Sequence, residues 1–311
     1  MTRYFGRRLL HVLPVVIGIT LASFVLIHLV PGDPIRIMLG AKAPAERVAE
    51  VKHELGIDRP LPQQYLSFVG GAVHGDLGES IILRRPVSGV VGERLGPSLF
   101  LLGYATLIAV VFAVPLGIAS ALRRNRLADH SIRVLTLIAF AMPSFWLGLI
   151  LIRKLSLDLG VFPVSGYGEG FFGHVRSLTL PSLTIGLFLA SMLVRSLRAS
   201  LIDILGMEYV EAARARGLSE TRVVVKHSLR PALIATITVL AVNLGWLISG
   251  AVVIERVFDI PGLGQLLVES IFTRDFPTIQ GLTLVFGLIV IGINLLADLS
   301  YAAVDPRVRY E

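Results

Sequence analysis

Cysteine is absent from this chain, which excludes disulfides, thiolate metal sites and iron–sulfur clusters. Also missing are the spacings that carry common site chemistry. There is no G-x-x-x-x-G-K-[ST] phosphate cradle, no H-E-x-x-H zinc helix and no G-x-S-x-G nucleophile elbow. Neither a catalytic residue nor a metal ligand is therefore expected. Charge is scarce as well: Asp, Glu, Lys and Arg make up 16% of the residues. Hydrophobic residues make up 54%, and mean hydropathy is +0.76. These values lie outside the usual range of soluble domains and indicate an integral membrane protein.

Six runs approach or exceed the ~20 apolar residues that span a ~30 Å hydrocarbon core. They are 9–30, 99–122, 134–152, 178–194, 232–254 and 279–297. The fold class expected is thus all-α, with six transmembrane helices and both termini on one side. Arg7-Arg8 precede a first run that ends in Pro31-Gly32-Asp33-Pro34 rather than small residues, which reads as a retained helix and not a cleaved signal. Basic residues cluster near the termini, at Arg123, Arg124, Arg126 and Arg133, and between Arg195 and Arg230, whereas the short loops 153–177 and 255–277 hold few. The positive-inside rule therefore places both termini in the cytoplasm. The net charge of +7 follows from that bias and gives no support for nucleic-acid binding.

The chain divides into a cytoplasmic N-terminus with the first span (1–30), an extracytoplasmic lid (31–97) and a five-helix core (98–311). In the lid, Val48, Val51 and Leu55 recur at helical spacing with Gly56 as a C-cap, and Tyr65, Phe68, Val69 and Ala72 form a second short apolar face. Polar groups inside the spans are few. His28 and Asp298 sit near span ends, where each can reach an interface. Asn243 and Asn294 are more central, and either bond between helices or line a path. Interior Gly and Pro (Pro14, Gly18, Pro115, Gly117, Pro143, Gly186, Gly245, Gly250) suit a moving core and a static one equally.

The segment 195–231 stands apart. It holds seven basic and four acidic residues between Arg195 and Arg230, and burying them all at the bilayer centre would cost about 30 kcal/mol. It must lie in water. Met207 to Arg216 favours helix, Gly217 suits a left-handed C′ position, and Ser219-Glu220 restart a helix toward Leu229, with Pro231 placed to begin a further one. Ala212, Ala213 and Ala215 leave a nearly bare helix surface, ringed by Glu208, Glu211, Arg214 and Arg216. Such a surface fits a cleft on a partner; a solvated amphipathic helix is the alternative.

Glu211-Ala212-Ala213-x-x-x-Gly217 resembles the Glu-Ala-Ala signature of permease subunits of binding-protein-dependent ABC importers. The ending His227-Ser228-Leu229-Arg230, with proline displaced to 231, is similar to the branch that handles dipeptides, oligopeptides and nickel. Arg7-Arg8-Leu9, Pro31-Gly32-Asp33-Pro34, Glu255-x-x-Phe258-x-x-Pro261-Gly262-x-Gly264, Arg274-Asp275-x-Pro277 and Asp305-Pro306-Arg307 extend the likeness to that branch's first subunit.

The resemblance implies a type I ABC importer permease in a bacterial cell membrane, with no cofactor of its own. Implied partners are a second homologous permease, two ATPase subunits (or one two-domain ATPase) that bind ATP and Mg, and an extracytoplasmic solute-binding protein. Glu208, Tyr209, Glu211, Ala212, Ala213, Arg214, Arg216, Gly217 and Leu218 would then couple to the ATPase. Phe258, Pro261, Gly262, Gly264 and Asp275 would line the outer gate or meet the binding protein, in a hairpin-like piece at the outer face. Asn243 and Ser249 would lie on the translocation path. Peptides are the default solute, with nickel, glutathione, haem or a sugar as alternatives. An ion-gradient-driven transporter would need central carboxylates, and spans two to five offer none.

Overall fold

A computed structural model describes residues 13–25, 43–54 and 58–304, with residues 51, 54 and 297–304 as backbone only. His28, Gly56, the Pro31-Gly32-Asp33-Pro34 turn and the Asp305-Pro306-Arg307 tail lie outside the described residues, as does the side chain of Asp298. The helices are α1 (Leu13–Val25), α2 (Ala45–Glu54), α3 (Leu61–Val73), α4 (Val87–Leu122), α5 (Leu127–Ala141), α6 (Ser144–Asp158), α7 (Gly170–Leu205), α8 (Glu208–Ala215), α9 (Glu220–Val257), α10 (Leu263–Thr273) and α11 (Phe276–Val304). Among the described residues, α4, α7, α9 and α11 are each long and apolar enough to cross a membrane, and α5 with α6 make a fifth if the bent pair is one span. The chain forms two compact units: a larger one of residues 97–261 and 292 onward, and a smaller one of residues up to 96 and 262–291.

In the larger unit α7 is the central helix. Its 36 residues span about 54 Å at 1.5 Å per residue, well beyond the hydrocarbon thickness. Leu178, Leu180, Leu189, Leu193, Leu197 and Leu201 are all buried. α4 packs on it so closely that a Cβ built on Gly186 would fall 2.9 Å from the Ala105 carbonyl oxygen; only glycine fits without displacing backbone. Along α7, Thr184 donates to the Leu180 carbonyl and Ser191 to that of Phe188, whereas the buried Ser182 hydroxyl has no hydrogen-bond partner among the described residues.

Three sequence expectations change here. The run 134–152 is not one straight helix: α5 and α6 meet at 101°. Pro143 has no N–H to donate and holds Met142 in an extended conformation (φ −75°, ψ 128°), which ends α5. The second run, expected over 99–122, begins earlier: α4 starts at Val87 and runs through both Pro97 and Pro115. The start signal is Pro86, whose carbonyl accepts the Val90 N–H. Finally, Pro231 begins no new helix; it lies within α9. Proline deprives the carbonyl four residues back, that of His227, of its helical donor. The ladder immediately upstream adopts π-helical spacing over Val223–Ser228.

The smaller unit contains the lid helices. The apolar face expected on α3 is the one that is half-buried: Tyr65, Phe68, Val69 and Ala72 are shielded while Leu66 and Val73 face outward. Phe24 of α1 meets Tyr65 edge-on with ring centroids 5.5 Å apart, and Thr20 Oγ1 lies 2.9 Å from the Tyr65 hydroxyl. Val87, Val90, Val91, Leu263, Leu266 and Leu282 form this unit's apolar core. Within the segment 255–277, Leu263–Thr273 form an 11-residue helix, α10, too short to span a membrane.

Candidate functional site

α8 starts at Glu208 because Met207 is extended (φ −81°, ψ 145°) and accepts the Val210 N–H at 2.9 Å. Glu208 and Glu211 lie in the first turn and Arg214 in the last, each complementing the helix dipole. The helix ends in a Schellman motif: Gly217 N–H donates to the Arg214 carbonyl at 2.8 Å and Leu218 N–H to that of Ala213 at 3.4 Å. Gly217 has φ +78°, the left-handed conformation that its position in the sequence predicts.

Burial divides the helix. Val210 and Ala213 are buried in a cluster with Ala121, Leu197, Leu201, Ile204, Val223 and Ala232, with Leu218 packed alongside. Ala213, expected on the partner-facing surface, therefore belongs to the protein's own core. Arg214 and Arg216 also turn back. Arg214 forks onto Glu220 (Nε–Oε2 3.1 Å, Nη2–Oε1 2.7 Å) and reaches the Leu205 carbonyl. Its guanidinium holds the Glu220 carboxyl below the usual range; this polar start of α9 lies outside the membrane-spanning part, which begins near Ala232. Arg216 Nε donates to the Ala212 carbonyl. Tyr209 is exposed, and its hydroxyl donates at 3.5 Å to the His227 carbonyl, four residues before Pro231. Glu208, Glu211, Ala212 and Ala215, at i, i+3, i+4 and i+7, make one exposed strip. It consists of small residues with two carboxylates.

Directly above the buried cluster is a contact that sequence reading missed. Asp129 is fully buried, and Arg198 donates to it through Nε at 2.8 Å and Nη2 at 2.7 Å. Ser120 Oγ donates at 2.6 Å and the Asn125 N–H at 2.9 Å. The charge of 195–231 places Arg198 in water, yet only 20% of its side chain is accessible.

Asn243 and Ser249 come together on one cleft of about 480 Å³, with Phe140, Met142, Pro143, Phe188 and Trp246. The break between α5 and α6 forms one wall. Irregular backbone at membrane depth is tolerated where it is buried in protein or lines a cavity. The Asn243 amide donates to the Val239 carbonyl at 2.7 Å, leaving its oxygen as an acceptor. Phe140 stacks on Phe188 at 5.3 Å, and the Arg195 guanidinium carbon sits 4.7 Å from the Phe140 ring centre.

The residues expected at an outer gate are held in cores. In the larger unit Phe258 is 1% exposed; its carbonyl accepts the Gly166 N–H, and a Cβ on Gly148 would meet its ring at 3.0 Å. Pro261 is half-buried. In the smaller unit Gly262 and Gly264 are buried at the start of α10. Asp275 is 2% exposed. It accepts hydrogen bonds from Ser80 Oγ, from the Ile81 N–H at 3.1 Å and from Thr278 Oγ1 at 2.8 Å. Its carboxylate is spent on internal donors, which argues against a direct contact with a docked partner. The exposed apolar residues of α10 are Ile271 and Phe272.

Residues 113–310 match the family described as binding-protein-dependent transport system inner membrane component, and residues 1–91 match the N-terminal family of the same transport systems. The glutathione transport system permease protein GsiC of Salmonella typhimurium strain LT2 is 40% identical over 311 residues, covering 100% of both chains. The protein of the same name from Escherichia coli strain K12 is 39% identical over the same length. Among solved structures, an inward-facing conformation of the MetNI methionine ABC transporter aligns with a TM-score of 0.58 at 18% identity, covering 70% of this chain and 96% of that one. An amino acid ABC transporter with histidines aligns at 0.52 and 13% identity, covering 70% and 94%. These two likenesses concern the fold.

Proposed function

This chain belongs to the inner-membrane components of binding-protein-dependent transport systems, and we propose that 195–231 is the segment through which it is coupled to its ATPase. The protein is a multi-pass inner-membrane permease of an ABC importer and is not itself catalytic. Membership of such a system implies an ATPase and a binding protein as partners. The finer reading is that a second homologous permease completes the pore, and that two ATPase subunits, or one two-domain ATPase, bind ATP and Mg. The solute is a short peptide or a peptide-like molecule such as glutathione.

In this reading α8 seats on the ATPase through Glu208, Glu211, Ala212 and Ala215, with Tyr209 and Gly217 at the edges. The observation that carries it is the division of α8: one side anchored in the permease core, the other exposed, small and acidic. A helix held this way moves with its own spans and still offers a surface to a partner. The cleft at Asn243 and Ser249 suits the solute path, since it joins apolar and aromatic walls to a few hydrogen-bonding groups. The lid helices and the exposed residues of α10 suit a role in receiving the binding protein.

Because the chain is free of cysteine, single cysteines give an unambiguous test. Ala212→Cys and Ala215→Cys should cross-link to the ATPase in the assembled complex, in a nucleotide-sensitive manner, whereas a cysteine at exposed Leu127 serves as an off-site control. Absence of cross-linking at 212 and 215, in complexes that hydrolyse ATP normally, would refute the docking assignment. Uptake of a solute panel with the cognate binding protein decides between peptides and the alternatives.

A further inference from the structure

The Asp129–Arg198 pair sits where three elements converge. Ser120 is in the last turn of α4, Asn125 is in the turn that follows, Asp129 is in the first turn of α5, and Arg198 is on α7, two turns before its end. One carboxylate therefore binds all of them, with each interaction charge-assisted. Asn125 has φ +62°, the left-handed conformation that asparagine adopts more readily than most L-residues. Here the Asn125 N–H is one of the four donors on Asp129.

The neighbouring residue, Leu197, links this pair to α8. Leu197, Leu201 and Ile204 of α7 are the residues against which Val210 and Ala213 of α8 are buried. Leu197 also closes on α4, where a Cβ on Gly117 would lie 2.9 Å from Leu197 Cδ2. An unbroken line of buried contacts thus runs from α8, through the last turns of α7, to the α4–α5 turn. An apolar contact in this position would permit helices to slide. A bidentate guanidinium–carboxylate fork accepts one geometry, and a buried pair of this type is a poor source of net stability against a well-packed apolar substitute.

We propose that Asp129 and Arg198 are positioning residues that lock the α4–α5 turn to the end of α7, so that displacement of α8 by the ATPase moves both inner loops as one body. The proposal rests on the coupling role of α8. Neither residue touches solute or nucleotide; both act through the helices they join.

The test uses the full complex with its ATPase and binding protein, in proteoliposomes, reading solute uptake per ATP hydrolysed. Asp129→Asn and Arg198→Lys should each lower that ratio by about five-fold or more, the lower bound of typical coupling between sites. A purely structural role would lower the yield of assembled complex and leave the ratio unchanged, which overturns the proposal. Glu211→Lys on α8 runs in parallel. If it uncouples while the Asp129 and Arg198 variants do not, the lock is refuted and the docking role of α8 stands. If none uncouples, both fall.

A second measurement does not depend on the variants folding. Spin labels at cysteines placed at positions 126 and 207, the latter exposed just before α8 and outside the docking strip, should keep one narrow distance distribution with and without trapped nucleotide. A nucleotide-dependent change in that distance would show that the two loops move separately, and the proposal would be wrong.

Discussion

Substitutions at Gly217 that differ in tolerance of positive φ test whether backbone handedness, rather than side-chain size, sets the coupling turn. Gly217 has φ +78°, and no heavy atom lies within 4 Å of a Cβ built on it. Added bulk therefore meets nothing within the permease, and the penalty is one of backbone conformation. For an ordinary L-residue the left-handed region is disfavoured by about 1–2 kcal/mol, and a β-branched residue fares worse. Relief comes from unwinding the turn, which breaks the Gly217 N–H bond to Arg214 and the Leu218 N–H bond to Ala213. A penalty of ~1–2 kcal/mol shifts the population of the native turn by roughly 5–30-fold, enough to weaken docking while the spans stay folded. Asparagine visits the left-handed region readily and serves as the control. In the assay of uptake per ATP hydrolysed, Gly217→Asn should stay near wild type, Gly217→Ala should fall, and Gly217→Val should fall furthest. Thermal unfolding of the isolated permease should change little across the series. Were Asn as damaging as Val, the cause would be bulk in the partner's cleft and the backbone argument would fail. A Val variant with normal coupling would remove Gly217 from the contact altogether.

Two further outcomes follow from buried contacts. Asp275→Ala leaves Ser80 Oγ, the Ile81 N–H and Thr278 Oγ1 without their acceptor. At about 1–3 kcal/mol per unsatisfied buried donor, the melting temperature in detergent should drop clearly, with binding-protein stimulation per folded complex retained; an unchanged melting temperature with lost stimulation would return Asp275 to a docking role. Gly186→Ala forces a Cβ to 2.9 Å from the Ala105 carbonyl oxygen and should destabilise by about 1–3 kcal/mol. Gly250→Ala meets nothing within 4 Å and should be close to neutral, so equal effects at the two sites would contradict the close approach of α4 and α7.

Local signals proved legible in the sequence because their physics is local. A left-handed glycine after a charged helix, an amphipathic lid face and a segment too charged for lipid each depend on a few consecutive residues. Side-chain burial was not legible. In a soluble protein hydropathy separates core from surface, but lipid removes that contrast. Leu107 and Val111 of α4 are 59% and 58% exposed, and Trp246 of α9 is 76% exposed, while Ser120, Asp129, Thr184 and Asp275 are buried. The polar contacts that hold each unit together join residues far apart in the chain: Asp129 and Arg198 are separated by 69 positions, Ser80 and Asp275 by 195. No spacing rule within a helix or turn reaches across such distances. Arg198 was assigned to water because its neighbours in sequence are charged, whereas its surroundings are set by α4 and α5.

Proline shows how far a local signal carries. Pro97, Pro115 and Pro181 lie inside continuous α4 and α7, Pro231 shifts the ladder of α9 without interrupting it, and Pro143 ends α5 and turns the chain by 101°. The residue is the same in all five places, as is the missing donor. What differs at Pro143 is that the freed backbone borders a cleft shared with Asn243 and Ser249, where water or a passing solute can satisfy it. In a membrane helix a proline therefore marks where a break is permitted, and tertiary surroundings determine whether one occurs. The cleft at Asn243 and Ser249 is accordingly a sharper place to test the proposed solute path than any interior proline or glycine.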